Sequence, residues 1–81
     1  GSNIKYPTIS QETGSQGKVI VQFVVDRDGT ISNPEVVRGV DPYLDKEAIR
    51  VISSMPKWTP GVQNGKKVRV KYTVPVSFRL Q

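Results

Sequence analysis

Residues 66 to 81 alternate between apolar and polar positions almost without interruption. Val68, Val70, Tyr72, Val74, Val76, Phe78 and Leu80 share one parity, while Lys67, Arg69, Lys71, Thr73, Ser77 and Arg79 share the other. A period of two over this length predicts a long strand with one buried face. Pro75 stands in the polar parity. Proline has no N–H to give to a ladder, so within a sheet it belongs on an edge strand, with its missing donor turned away from the neighbour. Backbone groups alternate in direction along a strand, so the odd residues around Pro75 are expected to aim their N–H and C=O toward that open edge.

The rest of the chain supplies partners for this strand. Residues 18 to 26 place Val19, Val21, Phe23 and Val25 on one face and Lys18 and Gln22 on the other. Ile20 and Val24 make the second face partly apolar, as suits a central strand. Asp26-Arg27-Asp28-Gly29 reads as a tight turn, because aspartate side chains bond the local backbone and glycine accepts positive φ. Ile31 to Val37 returns as a second strand, giving a hairpin. A helix follows, with Asp41 as N-cap and Pro42 as its first residue. Its apolar positions Leu44, Ala48, Val51, Ile52 and Met55 recur at i, i+4, i+7, i+8 and i+11. Asp45 and Glu47 fall in the first turns, where the helix dipole favours them, and Pro56 ends the helix. Pro60-Gly61 and Asn64-Gly65 mark turns leading into the long strand, and Trp58 is the largest apolar side chain available to the core. Residues 3 to 17, with Tyr6-Pro7 followed by polar positions, read as a short helical turn or loop. The predicted fold is α+β, in the order β-β-α-β. One helix packs on a three-stranded antiparallel sheet of order 2-1-3, with the long C-terminal strand at an edge.

With 81 residues the chain suits one domain, able to bury roughly 60 to 65 per cent of its unfolded surface. It has no cysteine and no histidine. Thiolate staples, the usual zinc ligands and the usual neutral-pH general base are thereby excluded, which argues against an enzyme and predicts neither metal nor cofactor. Twelve Lys and Arg against seven Asp and Glu give a net charge of +5 and a pI near 9.8, which favours acidic partners. No stretch is long and apolar enough to span a bilayer. Gly1-Ser2 has the look of an expression scar, leaving residues 3 to 81 as the domain.

Candidate chemistry is thin. Asp26-Arg27-Asp28-Gly29 begins like a calcium loop but lacks the later ligands and closing glutamate. Ser54-Met55-Pro56-Lys57 and Ser15-Gln16-Gly17-Lys18 match a bare Ser-x-x-Lys pattern, yet Pro56 and Gly17 disrupt the shared helical face that pattern needs. Asp45 and Glu47, two apart on a helix, point different ways and make a poor acid-base pair. The basic residues of the long strand guard an exposed edge against accidental pairing, or else bind a polyanion. Nucleic acid is the weaker reading, since Tyr72 and Phe78 lie on the apolar face and not among the charges.

Several landmarks in order resemble one family. They are Tyr6-Pro7, Gly17-Lys18-Val19, Phe23 with Asp26 and Gly29, Val36, Leu44-Asp45 with Glu47-Ala48, and Met55-Pro56 with Trp58. Pro60-Gly61, Asn64-Gly65, and Pro75-Val76 with Phe78 and Leu80 complete the set. From about Ile4 to Gln81 the chain is similar to the C-terminal domain of the energy transducer TonB, in the form typical of Bacteroidota.

The resemblance implies a non-enzymatic periplasmic module. It would be anchored to the inner membrane by an N-terminal segment outside this sequence and work there with the ExbB and ExbD proteins. Its C-terminal edge strand would pair with the TonB box of outer-membrane TonB-dependent receptors, transmitting proton-motive energy for siderophore or other nutrient import. That mode is β-augmentation. Carried over by position, the partner-binding segment is Val68, Arg69, Val70, Lys71, Tyr72, Thr73, Val74, Pro75 and Val76. Arg69, Lys71 and Thr73 would aim backbone groups outward if no bulge intervenes. Enterobacterial relatives also place a Gln-Pro pair near the receptor, at the position held here by Asn3 and Ile4. Pairing of two copies through the same edge, as a homodimer, is a further expectation. The alternatives are a TonB-like sensor or scaffold domain, or a basic sheet surface that binds nucleic acid or cell-wall polymer.

Overall fold

The computed structural model describes residues 4–80. Along them lie α1 (Thr8–Thr13), β1 (Gly17–Val25), β2 (Ile31–Arg38), α2 (Pro42–Ser53), β3 (Gly61–Gln63), β4 (Lys66–Val68) and β5 (Val70–Phe78). β1, β2 and β5 form an antiparallel sheet of order β2-β1-β5, and β3 pairs with β4 as a separate two-stranded ribbon. The α+β class, the sheet order and the edge position of the last strand are as expected from the sequence.

The strand expected to run unbroken from residue 66 is instead two strands, parted at Arg69. β1 ends at Val25, directly opposite Val70, so residues ahead of Val70 have no β1 neighbour. Asn64 and Gly65 both take positive φ, 53° and 76°, which is the two-residue turn that folds Lys66–Val68 back onto Gly61–Gln63. The ribbon projects past the end of the main sheet. The molecule measures 49 × 21 × 18 Å, with a radius of gyration of 14.3 Å. A compact domain of this length would give about 11.7 Å.

The helix is capped as its sequence implies. The Asp41 carboxylate accepts the Leu44 N–H at 2.7 Å and the Ser10 hydroxyl at 3.0 Å, so one side chain starts α2 and ties α1 to it. Leu44, Ala48 and Ile52 face Val19, Val21, Phe23 and Val25 of β1, all four of which are fully buried, with Val76 and Phe78 of β5 beside them. An aromatic group closes one end. The Phe23 ring lies 5.1 Å from Trp58 and 6.1 Å from Tyr72, and Trp58 and Tyr72 are 5.4 Å apart. Trp58 is fixed from behind, since its N–H donates to the Gly29 carbonyl at 2.9 Å. Gly29 has φ 86° and its missing Cβ leaves room for the Trp58 carbonyl, so this turn requires glycine. Met55, expected in the core, is 37 % exposed. α2 stops at Ser53 with Ser54 as its cap, and Met55 lies beyond the last position that the helix holds against the sheet.

Glu47, expected to favour the helix dipole, is buried and has a different task. It accepts the Lys5 N–H at 2.7 Å and, from Arg50, Nε and Nη2 at 2.8 Å each. The N-terminal segment is thereby fastened along α2. Tyr6 continues the fastening: its hydroxyl donates to the Ser15 carbonyl and its ring meets Phe78 edge-on at 5.6 Å.

These ties carry a pH signature. Hydrogen bonds from Arg50 hold the Glu47 carboxyl below its usual value of 4.5, against the opposing effect of burial, with help from the Lys5 N–H. At Asp41, burial raises the carboxyl, but the Leu44 N–H and the Ser15 and Ser10 hydroxyls outweigh it and leave the value below 3.8. A depressed folded pKa stabilises the fold above the unfolded value and ceases to do so as pH falls through the folded one. Thermal melts should therefore show Tm falling as pH drops below about 4.5. Glu47→Gln should flatten that decline and lower neutral-pH stability by about 1 kcal/mol, because Arg50 is half exposed and solvent screens part of the pair.

Candidate functional site

α2 lies nearest β2 and β1, and it meets β5 only in part. Burial accordingly declines along β5 away from its Phe78 end: Phe78 and Val76 are buried, whereas Val74, Tyr72 and Val70 are only half-buried. The core is incomplete on this side. A groove of about 420 Å³ occupies the gap, lined by Ile4, by Val51, Ile52, Met55 and Trp58 at the far end of α2, and by the four consecutive residues Val74, Pro75, Val76 and Ser77. Four consecutive strand residues can line one groove only if it runs along the strand's edge, so the groove and the open edge of β5 are one feature.

The direction of the edge groups follows from register. β1 and β5 pair without a shift from Gly17 opposite Phe78 to Val25 opposite Val70, so no bulge interrupts the parity. Pro75 stands opposite Ile20. Antiparallel pairs alternate between those that exchange two hydrogen bonds and those that exchange none, and proline fits without loss only in the second kind. The backbone groups of Lys71, Thr73, Pro75 and Ser77 therefore face outward, and those of Val70, Tyr72, Val74 and Val76 bond to β1. All four outward-facing residues are exposed.

The other edge of the sheet is built differently. β2 meets β1 with two register shifts, between Ile20 and Val21 and between Gln22 and Val24. It also carries Pro34, and Asn33 has φ 51°. Bulges and proline twist an edge away from regular pairing. β5, although it carries Pro75 and Lys71, is the regular edge and β2 the irregular one.

The residues singled out from sequence fall into three groups. Val70, Lys71, Tyr72, Thr73, Val74, Pro75 and Val76 lie together on β5. Val68 lies in β4 opposite Gly61, and Arg69 lies between β4 and β5, bound to Asp26 Oδ1 at 2.6 Å. These two extend the segment away from the main sheet, and the Arg69 charge is committed to the β1–β2 turn. Ile4 lines the groove, while Asn3 is outside the described residues. Met55 and Trp58 were assigned to the core and not to a site. The signal that could have placed Met55 was Pro56 directly after it, since a helix halted there cannot keep its last apolar residue on the buried face.

Comparison with known proteins bears on this geometry. Residues 2–80 match the family model described as Gram-negative bacterial TonB protein C-terminal. Protein TonB of Pseudomonas aeruginosa is 31% identical over 78 residues, covering 94% of this chain and 22% of that protein. The chain thus spans about a fifth of the length of that curated relative. Two NMR structures of the Helicobacter pylori TonB C-terminal domain, of different lengths, superpose with TM-scores of 0.72 and 0.64 at 25% identity. They are covered to 82% and 74%, and this chain to 96% and 99%.

Proline scanning tests the edge assignment. Thr73→Pro removes an outward N–H and should leave the melting curve close to that of the parent. Val74→Pro removes a donor to Val21 and should cost about 1 to 3 kcal/mol, or most of the folded signal in a small domain. Circular dichroism melts of the two variants decide it, and equal losses would place the open edge elsewhere.

Proposed function

Because this chain belongs to the family of TonB C-terminal domains of Gram-negative bacteria, we propose that it is the receptor-binding end of a TonB-type energy transducer, acting in the periplasm by strand addition to β5. The partner is the TonB box of an outer-membrane receptor. The observation that carries this reading is the pairing of a regular β5 edge with a half-covered apolar face beneath it. An added strand would bond the outward groups of Lys71, Thr73, Pro75 and Ser77 and at the same time cover Val74 and Tyr72. Main-chain bonds then supply the grip and side chains the choice of partner. The longer protein would be anchored in the inner membrane through a segment upstream of Ile4 and driven there by ExbB and ExbD.

Force entering from the upstream side arrives at a segment already bound to both layers. Lys5 is held by Glu47 of α2, and Tyr6 packs on Phe78 of β5, the strand that would carry the receptor. The N-terminal segment thus meets β5 directly, through the Tyr6 ring on Phe78 and through Ile4 in the groove beside Val74 to Ser77.

Amide NMR titration with receptor TonB-box peptides, a scrambled peptide and an oligonucleotide tests the reading. True boxes should shift Val70 to Ser77 and slow hydrogen exchange at the Lys71, Thr73 and Ser77 amides. Shifts centred on Lys66, Lys67 and Lys71 with the oligonucleotide alone would overturn it in favour of a polyanion-binding surface.

A further inference from the structure

The turn of the β3–β4 ribbon holds a chemically reactive pair. Asn64 and Gly65 are both exposed and both take positive φ, 53° and 76°. An asparagine carboxamide can be attacked at Cγ by the backbone nitrogen of the next residue, which closes a small ring along the chain. The N–C bond forms, the C–NH2 bond breaks, and the proton of the attacking N–H leaves with the NH2 as ammonia. Water then opens the cyclic imide on either side. Opening at the side-chain carbonyl gives aspartate, whereas opening at the main-chain carbonyl gives isoaspartate, in which the backbone runs through the side chain and is longer by one methylene.

The residue that follows each asparagine decides which one reacts. Asn33 precedes Pro34, whose nitrogen carries no proton to give up. Asn3 precedes Ile4, whose branched side chain crowds the approach. Gly65 presents no such obstacle, and even a Cβ built there would meet nothing within 4 Å. Among the described residues no hydrogen bond engages the Asn64 carboxamide or the Gly65 N–H. The turn is also lightly held, since β3 and β4 are three residues each and pair only with one another, and an isolated two-stranded ribbon is marginal in water. We propose that Asn64 is a deamidation site of this domain, and that its conversion to isoaspartate unpairs β3 from β4 while the main sheet stays intact. A two-residue loop sets the register of its hairpin, and an added methylene in the backbone breaks that match. The disturbance ends at the junction, where Arg69 is bound to Asp26 at 2.6 Å and Val70 begins the ladder opposite Val25. The aspartate product keeps the chain length, and Asp-Gly suits the same turn. Either product places a carboxylate near Lys66 and Lys67 and lowers the net charge of +5 by one.

Ageing the 81-residue chain in warm, mildly alkaline buffer, which favours loss of the Gly65 amide proton, tests both parts. Mass spectrometry with electron-transfer fragmentation should locate the replacement of NH2 by OH at Asn64, ahead of Asn3 and the glutamines, and find isoaspartate among the products. Cation-exchange chromatography separates the aged forms by their lost charge. In the isoaspartate fraction, NMR should lose the cross-strand NOEs between Gly61–Gln63 and Lys66–Val68 and keep those between β1 and β5. Asn64→Gln needs a larger ring to react and should lose the conversion over the same interval. Freshly prepared Asn64→Asp adds the charge without the methylene and should keep the ribbon NOEs. The site is overturned if Asn64 stays intact in the folded chain while a free peptide of residues 60–67 converts, because the turn then shields it. The structural consequence is overturned if isoaspartate forms and the ribbon NOEs persist, or if those between β1 and β5 are lost as well.

Discussion

The nine-residue antiparallel ladder between β1 and β5 is the constraint from which the remaining features follow. Its unbroken register sets the parity of every β5 residue, turning Val74, Val76 and Phe78 toward α2 and Lys71, Thr73 and Ser77 to the exposed side. The same register brings Tyr72 opposite Phe23, within reach of Trp58, and carries Phe78 to Tyr6. Pro75 is compatible with this ladder in one phase only. A shift of one residue would turn the proline toward β1 and the valines toward solvent, so hydrogen bonding and burial select the same arrangement.

A sheet with one helix must leave something uncovered, and the position of α2 decides what. Lying nearest β2 and β1, it buries the inner face of β1 fully, while on β5 Val76 and Phe78 are buried and Val70, Tyr72 and Val74 are half-buried. The two edges differ in regularity. β2 is irregular and carries Pro34, while β5 pairs with β1 in unbroken register. An exposed regular edge is ordinarily a hazard for uncontrolled pairing. Next to an unfilled apolar groove, it has the form of a seat for one further strand.

Much of this was legible in the sequence, and the parts that were not share a cause. Period-two alternation marked β1 and β5, Asp41-Pro42 marked the helix start, and Pro75 marked the edge. Alternation could not show the split at Arg69, because Val68 and Val70 keep the same parity while their strands pair with different neighbours. A change of partner leaves no trace in a pattern that records only which face is wet. Glu47 was read as a charge near a helix start, whereas its partner, the Lys5 N–H, is 42 residues away and brought near by the fold. The groove was hidden for the same reason: it arises from where α2 lies across the sheet, and no local stretch encodes that offset.

The balance of energies explains why an edge alone does not suffice as a site. Across Lys71 to Ser77 the outward groups comprise the N–H of Lys71, Thr73 and Ser77 and the carbonyls of those three and Pro75, since proline has no donor. Each bond contributes about 1 kcal/mol net. Ordering the backbone of a free peptide costs about 1 to 2 kcal/mol per residue. Such a ladder would therefore roughly offset the ordering of an added strand, and its main-chain bonds would distinguish little between sequences. Under the proposed strand addition, burial of apolar side chains in the groove would tip the equilibrium toward binding. The titratable groups that the fold perturbs, Asp28, Asp41, Glu47 and Arg50, are all engaged in local turns and ties. What this surface would offer a partner is main chain and an apolar recess, and of these only the recess would discriminate between sequences.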